Sequence, residues 1–406
     1  MNTKALSSYQ LTLAYITIFL WIVWRPFSLM VIHFDAGQRV SILFLVLCLF
    51  FTGSLLVKFI FTKPISLLSW VCIYGFVNAI IKHSALLEQD NGYFYLMYHT
   101  VMPFLLFVIA ILCFENDFEK TVRVVSRALV VYSIITIAFA GNITGNERME
   151  SGSININEVV LYCLCGVSFM FLRYVRGQIS KTEMLTVAFP IFVSVMAGSR
   201  MGLLTLFIIV IGLLSSKLDF KKTGTFIFLI VGSIVLYFGI DYILHNTFAG
   251  ERVLGTQNEV NDRYADFKTG TILDLLGDRG FMYYYSWPLF LEHPITGIGL
   301  YNYIQYSPWG MRLHTEYATQ YVENGLLGFI PFISFLIILL KKLKITKKEN
   351  KILNEVNSIK MIFFILSSVL FSNLVLWSFD MVCVYLVYAM VAVYPCLLYT
   401  SPSPRD

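Results

Sequence analysis

The sequence predicts an all-α polytopic membrane protein with about twelve transmembrane helices and one long extracytoplasmic loop containing short helices. Three observations predict this fold class. Of 406 residues, 57% are hydrophobic and only 14% charged, against about 25% charged in a soluble domain. Apolar runs recur along the chain at close to the roughly 20 residues that a helix needs to cross a bilayer core. The basic residues, finally, sort onto one set of helix ends, the bias that fixes orientation during insertion.

The first run, "YQLTLAYITIFLWIVW", has no small-residue cleavage site and reads as a retained span over 9–31. Further spans are expected at 40–61, 65–81, 94–114, 124–140, 158–175, 183–198, 201–216, 224–244, 322–340, 360–378 and 381–395. No internal repeat joins two halves, as it does in many transporters. Residues 1–395 are expected to form a single membrane-embedded domain, interrupted by a hydrophilic segment at 245–321. The terminal "CLLYTSPSPRD" resembles translated sequencing-adapter read-through, so 396–406 is expected to be a non-native scar, with the native C-terminus missing. Six of the seven cysteines lie in apolar runs, which points to packing, and none joins a zinc-spaced cluster.

With the N-terminus in the cytoplasm, nineteen of the thirty basic residues fall on cytoplasmic ends, including "RYVRGQISK", "KLDFKK" and "KKLKITKKENK". The net charge of +5 therefore follows topology and does not indicate nucleic acid. The long loop, the turn "GSRMG" and the segment "GNITGNERMESGSININE" then all lie outside the cytoplasm. Neither ATP nor nucleotide sugar is present there, so a glycan-building enzyme must use an activated, lipid-linked substrate.

Few side chains near that membrane edge suit chemistry: Arg148, Arg200, Arg279, Arg312 and His314. Arg200 closes the "GSR" turn and needs an anionic partner, unless it is a snorkelling anchor. In "GDRGFMYYYSWPLFLEHPITGIGLYN", Asp278 suits the cap of a helix that places Arg279 in its first turn, among free N–H groups that favour anions. Tyr283, Trp287, Phe290 and Leu291 are spaced to give that helix an apolar face. Pro288 is expected to kink or split it, Pro294 to end it, and Gly297 and Gly299 to make a flexible turn. In "RLHTEYATQYVENGLLG", a continuous helix would place His314 above Ala318, Tyr321, Gly325 and Gly328, with Glu316 and Glu323 on the opposite side. That face reads as a ligand groove, or alternatively as close helix packing beneath a solvated histidine. Arg148, Asn155 and Asn157 in "RMESGSININE" supply donors and acceptors for sugar hydroxyls or phosphate, or simply build a polar turn. No Asp-x-Asp pair occurs, so arginines rather than a metal clamp are expected to hold any diphosphate, with no cofactor.

These motifs resemble the O-antigen ligase/polymerase family of bacterial envelope glycosyltransferases. The resemblance rests on the "N-x-N" turn, "GSR", "R…W…EHPITGIG" and "HTEYATQYVENGLLG", in that order, with Thr315 where the family usually has Asn, Ser or Gln. It implies transfer of a glycan from undecaprenyl diphosphate to a sugar hydroxyl at the outer face of the cytoplasmic membrane, without metal. Arg200 and Arg279 would hold the diphosphate and His314 would serve the acceptor. Arg148, Asn155, Asn157, Arg312, Glu316, Tyr321 and Glu323 complete the expected substrate contacts. The expected partners are the lipid-linked donor, an acceptor glycan, membrane lipid and a chain-length regulator. Polymerase, with a second lipid-linked repeat as acceptor, is placed ahead of ligase, which uses the lipid A core. A flippase or exporter of the same glycan is the rival from another class.

Overall fold

A computed structural model describes residues 6–30, 37–60, 65–88, 90, 92–141, 156–197, 206, 209, 242, 278–308, 310, 312–313, 315–343, 355–360, 362–363 and 382–400. Among these the protein is all-helical. The helices are α1 (Ser8–Met30), α2 (Gly37–Ile60), α3 (Ile65–Ile81), α4 (Gly92–Asn116), α5 (Phe118–Phe139), α6 (Ile156–Val175), α7 (Lys181–Leu185) and α8 (Ala188–Met196). After the hydrophilic segment come α9 (Asp278–Glu292), α10 (Tyr303–Tyr306), α11 (Glu316–Glu323), α12 (Gly325–Lys342) and α13 (Val382–Thr400). Among the described residues, four stretches are long and apolar enough to cross a membrane: Gly92–Asn116, Phe118–Phe139, Glu158–Val175 and Gly325–Lys342. Apart from Leu206, Ile209 and Tyr242, the expected spans at 201–216 and 224–244 lie outside the described residues, as does most of 360–378.

Local chemistry sets the boundaries. Asp117 caps α5, accepting from the Lys120 amide at 2.9 Å, and Ser180 caps α7 by accepting from the Glu183 amide at 3.1 Å. The expected span at 183–198 is two helices here. Pro190 has no N–H and its ring crowds the carbonyl four residues back, at Thr186, which is where α7 gives way to α8.

The core is a bundle in which α4 packs on α13 and α3, α1 on α2 and α5, α6 on α5 and α8, and α3 on α12. Aromatic rings lock α4, α12 and α13 together: Phe107 meets Phe335 at 6.0 Å and Tyr385 at 6.4 Å. Gly166 lets α6 approach closely, since a Cβ there would lie 3.3 Å from Leu129 and 3.6 Å from Pro190. Cys48, Cys72, Cys113, Cys163, Cys165 and Cys383 are free and buried, as packing residues should be.

Polar contacts gather at the two ends of α4. Near its C-terminus, the Leu6 amide donates to Asn116, and Arg173 forms a two-pronged pair with Glu183 at 2.7 and 2.9 Å. Arg127 joins the same carboxylate at 3.1 Å, and Arg176 pairs with Glu119 and Glu355. These residues are the ones that the charge asymmetry assigns to a single side. Near the N-terminus of α4 a different set assembles, built from the end of α3, the loop after α9, and the junction of α11 with α12.

Candidate functional site

The site begins with a broken helix. The apolar run that starts at Gly325 does not continue the helix carrying Tyr321: Asn324 ends α11, and Gly325, at φ +59°, starts α12 in a new direction. A broken helix exposes free carbonyls at one end and free amides at the other, and both need partners. The loop 293–302 provides them. Its Ile298 and Gly299 amides donate to the Val322 and Glu323 carbonyls at 3.0 and 2.9 Å. Its Pro294 and Ile295 carbonyls accept from the Leu326 and Leu327 amides at 2.8 and 3.1 Å. "HPITGIG" is thus a splint across the break.

Only glycine fits the contact. Gly297 has φ +69°, and a Cβ there would stand 2.4 Å from the Glu323 carbonyl. In place of the expected flexible turn, Gly297 and Gly299 are positive-φ residues packed tightly, Gly297 against the Glu323 and Gly325 backbone and Gly299 against the Lys82 and Asn302 side chains. Helix α3 holds the splint from behind. Asn78 donates to the Thr296 and Glu323 carbonyls at 2.9 and 3.0 Å, Tyr74 donates to the Thr296 carbonyl at 3.0 Å, and Ser84, in the turn after α3, donates to the Leu300 carbonyl at 2.7 Å. A polar side chain within an apolar span is expensive unless satisfied. That rule singles out Asn78 in the apolar run 65–81.

Helix α9 lies against α11 over a small core of Met282, Ile298, Tyr303, Leu313, Ala318 and Val322. The stripe expected to lie against the bundle or the membrane surface divides: Tyr283 and Phe290 pack inward and Trp287 and Leu291 are exposed, while Phe281, Met282 and Ser286 are buried. Pro288 does not split α9. Pro288 and Tyr284, whose carbonyl loses its partner, both lie on the exposed face, where the loss is least costly. Tyr321 fills the space between the helices, sharing a hydrogen bond with Ser286 at 2.9 Å and packing on Phe290 at 5.4 Å.

The groove expected below His314 is therefore not open. With the helix broken, Ala318 is fully buried, Tyr321 turns to α9, and Gly325 presses on the splint. Gly328 makes room for Asn324, which donates to Gln320 at 3.2 Å, and Gln320 donates to Glu316 at 2.6 Å. Glu316, Gln320 and Asn324 form a buried polar ladder on the bundle side. Glu323 is also buried, and its carboxylate accepts from the Tyr301 and Tyr303 amides at 2.9 and 3.2 Å. Burial pushes its pKa up to about 7, against the lowering pull of those two amides and of Arg312. Arg312 lies over the Tyr301 ring, 4.8 Å from its centroid.

The remaining expected residues fall unevenly. His314, Arg200, Arg148 and Asn155 lie outside the described residues. Asn157 stands in the first turn of α6, and Arg279 is the second residue of α9. One contact ties two of these motifs together. The Tyr283 hydroxyl shares a hydrogen bond with the Thr315 hydroxyl. Tyr283 is one helical turn beyond Arg279, and Thr315 adjoins His314 in sequence, so the start of α9 and the segment leading into α11 sit side by side. Helical spacing alone marks Tyr283 only as an apolar residue.

Residues 185–333 match the family model described as O-antigen ligase. This stretch contains α9, the splint, α11 and the break. No curated protein matches the chain. The O-antigen ligase match supports a glycan-transfer role of the ligase/polymerase type, and the apolar helices place that role in a membrane protein.

Proposed function

We propose that the protein is a glycosyltransferase that moves a glycan from undecaprenyl diphosphate to a sugar hydroxyl at the outer face of the bacterial cytoplasmic membrane. The observation that carries this reading is the Tyr283–Thr315 contact, which brings the Arg279 and His314 motifs into one locus inside the O-antigen ligase match. Diphosphate leaves readily once its charge is neutralised, and guanidiniums do this while holding the group in a fixed orientation. Arg279 and Arg200 take that role. The acceptor hydroxyl needs a base near neutral pH, and His314 supplies it.

Lysine at Arg279 retains the charge but loses the planar fork, so most activity should disappear in Arg279→Lys and in Arg279→Ala at unchanged membrane abundance. Purified protein given a synthetic undecaprenyl-diphosphate glycan reports this as product on a gel. A lysine variant with the wild-type product pattern would show that charge alone is enough and would end the fork argument.

In this reading the acceptor is a second lipid-linked repeat, which makes the protein a polymerase. The description of the matched family favours the second reading, transfer to lipid A core. Donor alone should give a ladder of lengthening glycans; product only on addition of lipid A core would make the protein a ligase. A flippase would form no new glycosidic bond in either assay.

Sidedness can be tested separately. An impermeant thiol reagent applied to intact cells, in a background without native cysteines, should label Gln305→Cys but not Thr182→Cys, both exposed positions at opposite ends of the bundle. Labelling of Thr182→Cys alone would invert the topology and remove the outer-face reaction.

A further inference from the structure

Glu323 stands beside the proposed site but does not face it. Both of its carboxylate oxygens are engaged by main-chain amides, Oε2 by Tyr301 and Oε1 by Tyr303. The residue so held is unusual. Tyr301 has φ +64°, a left-handed conformation that side-chain-bearing residues seldom adopt, and it is buried. Such strain persists only where the surroundings over-determine it, and it concentrates at functional sites. Here the surroundings are the carboxylate in front and, behind, Asn302, which bonds the Lys82 carbonyl at 3.0 Å and the Ala85 amide at 2.8 Å. The left-handed turn places the Tyr301 ring under the Arg312 guanidinium, 4.8 Å away. No ion pair of Arg312 with a carboxylate occurs among the described residues. Its charge is oriented by a ring and lies within electrostatic reach of Glu323, two residues before His314 in sequence.

We infer that Glu323 is a positioning residue: by holding Tyr301 left-handed it sets the aromatic platform that presents Arg312 to the diphosphate of the donor lipid. The diphosphate half of this inference rests on the proposed function; the positioning half does not. Glutamine at 323 retains one acceptor oxygen but turns an NH2 group toward the second amide, where two donors then face each other. The pin is lost without a change of size.

Phenylglyoxal modification of Arg312 in the purified full chain, followed by mass spectrometry, reads the guanidinium directly. Without ligand, Glu323→Gln and Tyr301→Leu should each label about two- to fivefold faster, the factor expected when a guanidinium loses a modest ring contact. Tyr301→Phe, which keeps both the ring and the amide, should label like the wild type. The double variant Glu323→Gln/Tyr301→Leu should label no faster than either single variant, because both act through one platform. Undecaprenyl diphosphate should protect Arg312 in the wild type, with about tenfold more lipid needed in the two single variants. Unchanged ligand-free labelling in Glu323→Gln overturns the positioning role, whatever happens to activity. If that variant fails to accumulate, equal rates in Tyr301→Leu and Tyr301→Phe overturn it instead. Absence of protection in the wild type counts against the diphosphate donor, and is read independently of the ligand-free rates.

Discussion

Alanine at Gly325 should leave almost no folded protein in the membrane. A side chain at φ +59° costs about 1–2 kcal/mol in backbone strain alone. Its Cβ would also lie 2.4 Å from the Ile295 oxygen and 2.5 Å from the Gly297 nitrogen, both of them backbone atoms that cannot rotate away. Relief requires lifting the splint, which sacrifices the hydrogen bonds from Leu326 and Leu327 to Pro294 and Ile295. Each is worth about 1 kcal/mol, and more if the buried groups stay unpaired. The sum approaches the whole stability of a domain near the lower end of the usual range, about 5 kcal/mol. Gly310→Ala is the internal control: it has φ +60° and nothing within 4 Å, so it carries the strain without the collision. Membrane-fraction abundance and thermal unfolding in detergent should separate the two, with Gly310→Ala close to wild type. If Gly325→Ala accumulates equally well, the helix break is not held by the splint.

This prediction rests on a feature that hydropathy does not reveal. The apolar stretches at 92–116, 118–139, 158–175 and 325–342 were legible because a bilayer core imposes a length and a composition on whatever crosses it. "ENGLLGFI" satisfies both through the break, because glycines are common in membrane helices as packing residues. Only the positive φ of Gly325, and a distant loop satisfying both exposed helix ends, distinguish a broken helix from a continuous one. For the same reason Tyr321, Gly325 and Gly328 read as one groove in sequence and serve three separate contacts in the fold. Position 288 shows the opposite error. A proline rule that ignores which face the ring occupies expects a kink or a split, and α9 is not split because the unpaired carbonyl is on its exposed side. Near the site, the helix start that carries Arg279 was legible from Asp278 as a cap. The role of Glu323 was not, since its partners are two amides about twenty residues upstream that carry no sequence signature.

Replacing His314 with alanine should reduce transfer by about 10²–10⁴-fold, the usual contribution of a general base, while leaving donor binding largely intact. His314→Gln, which retains hydrogen bonding without basicity, should fall nearly as far. The wild type should lose activity as pH drops, with a midpoint near the ordinary imidazole value of about 6.5, because a protonated ring cannot accept the acceptor's proton. Glu323 titrates close to this range, with its pKa raised by burial to about 7, so the sign of its effect matters. A carboxyl whose folded pKa is raised is favoured by the fold in its protonated form; its contribution to stability therefore falls as pH rises from the ordinary carboxylate range through about 7. Acid strengthens the fold at Glu323, and a loss of activity at low pH cannot be assigned to unfolding there. The decisive assay is purified protein with synthetic undecaprenyl-diphosphate glycan over a pH series in EDTA, where activity should survive the chelator, since the chain has no Asp-x-Asp clamp and arginines are proposed to hold the diphosphate. Near-normal turnover in His314→Gln would remove the histidine as base. Glu316 would then be the next candidate, although it is buried on the bundle side and accepts a hydrogen bond from Gln320 at 2.6 Å, so it would have to be released before it could act.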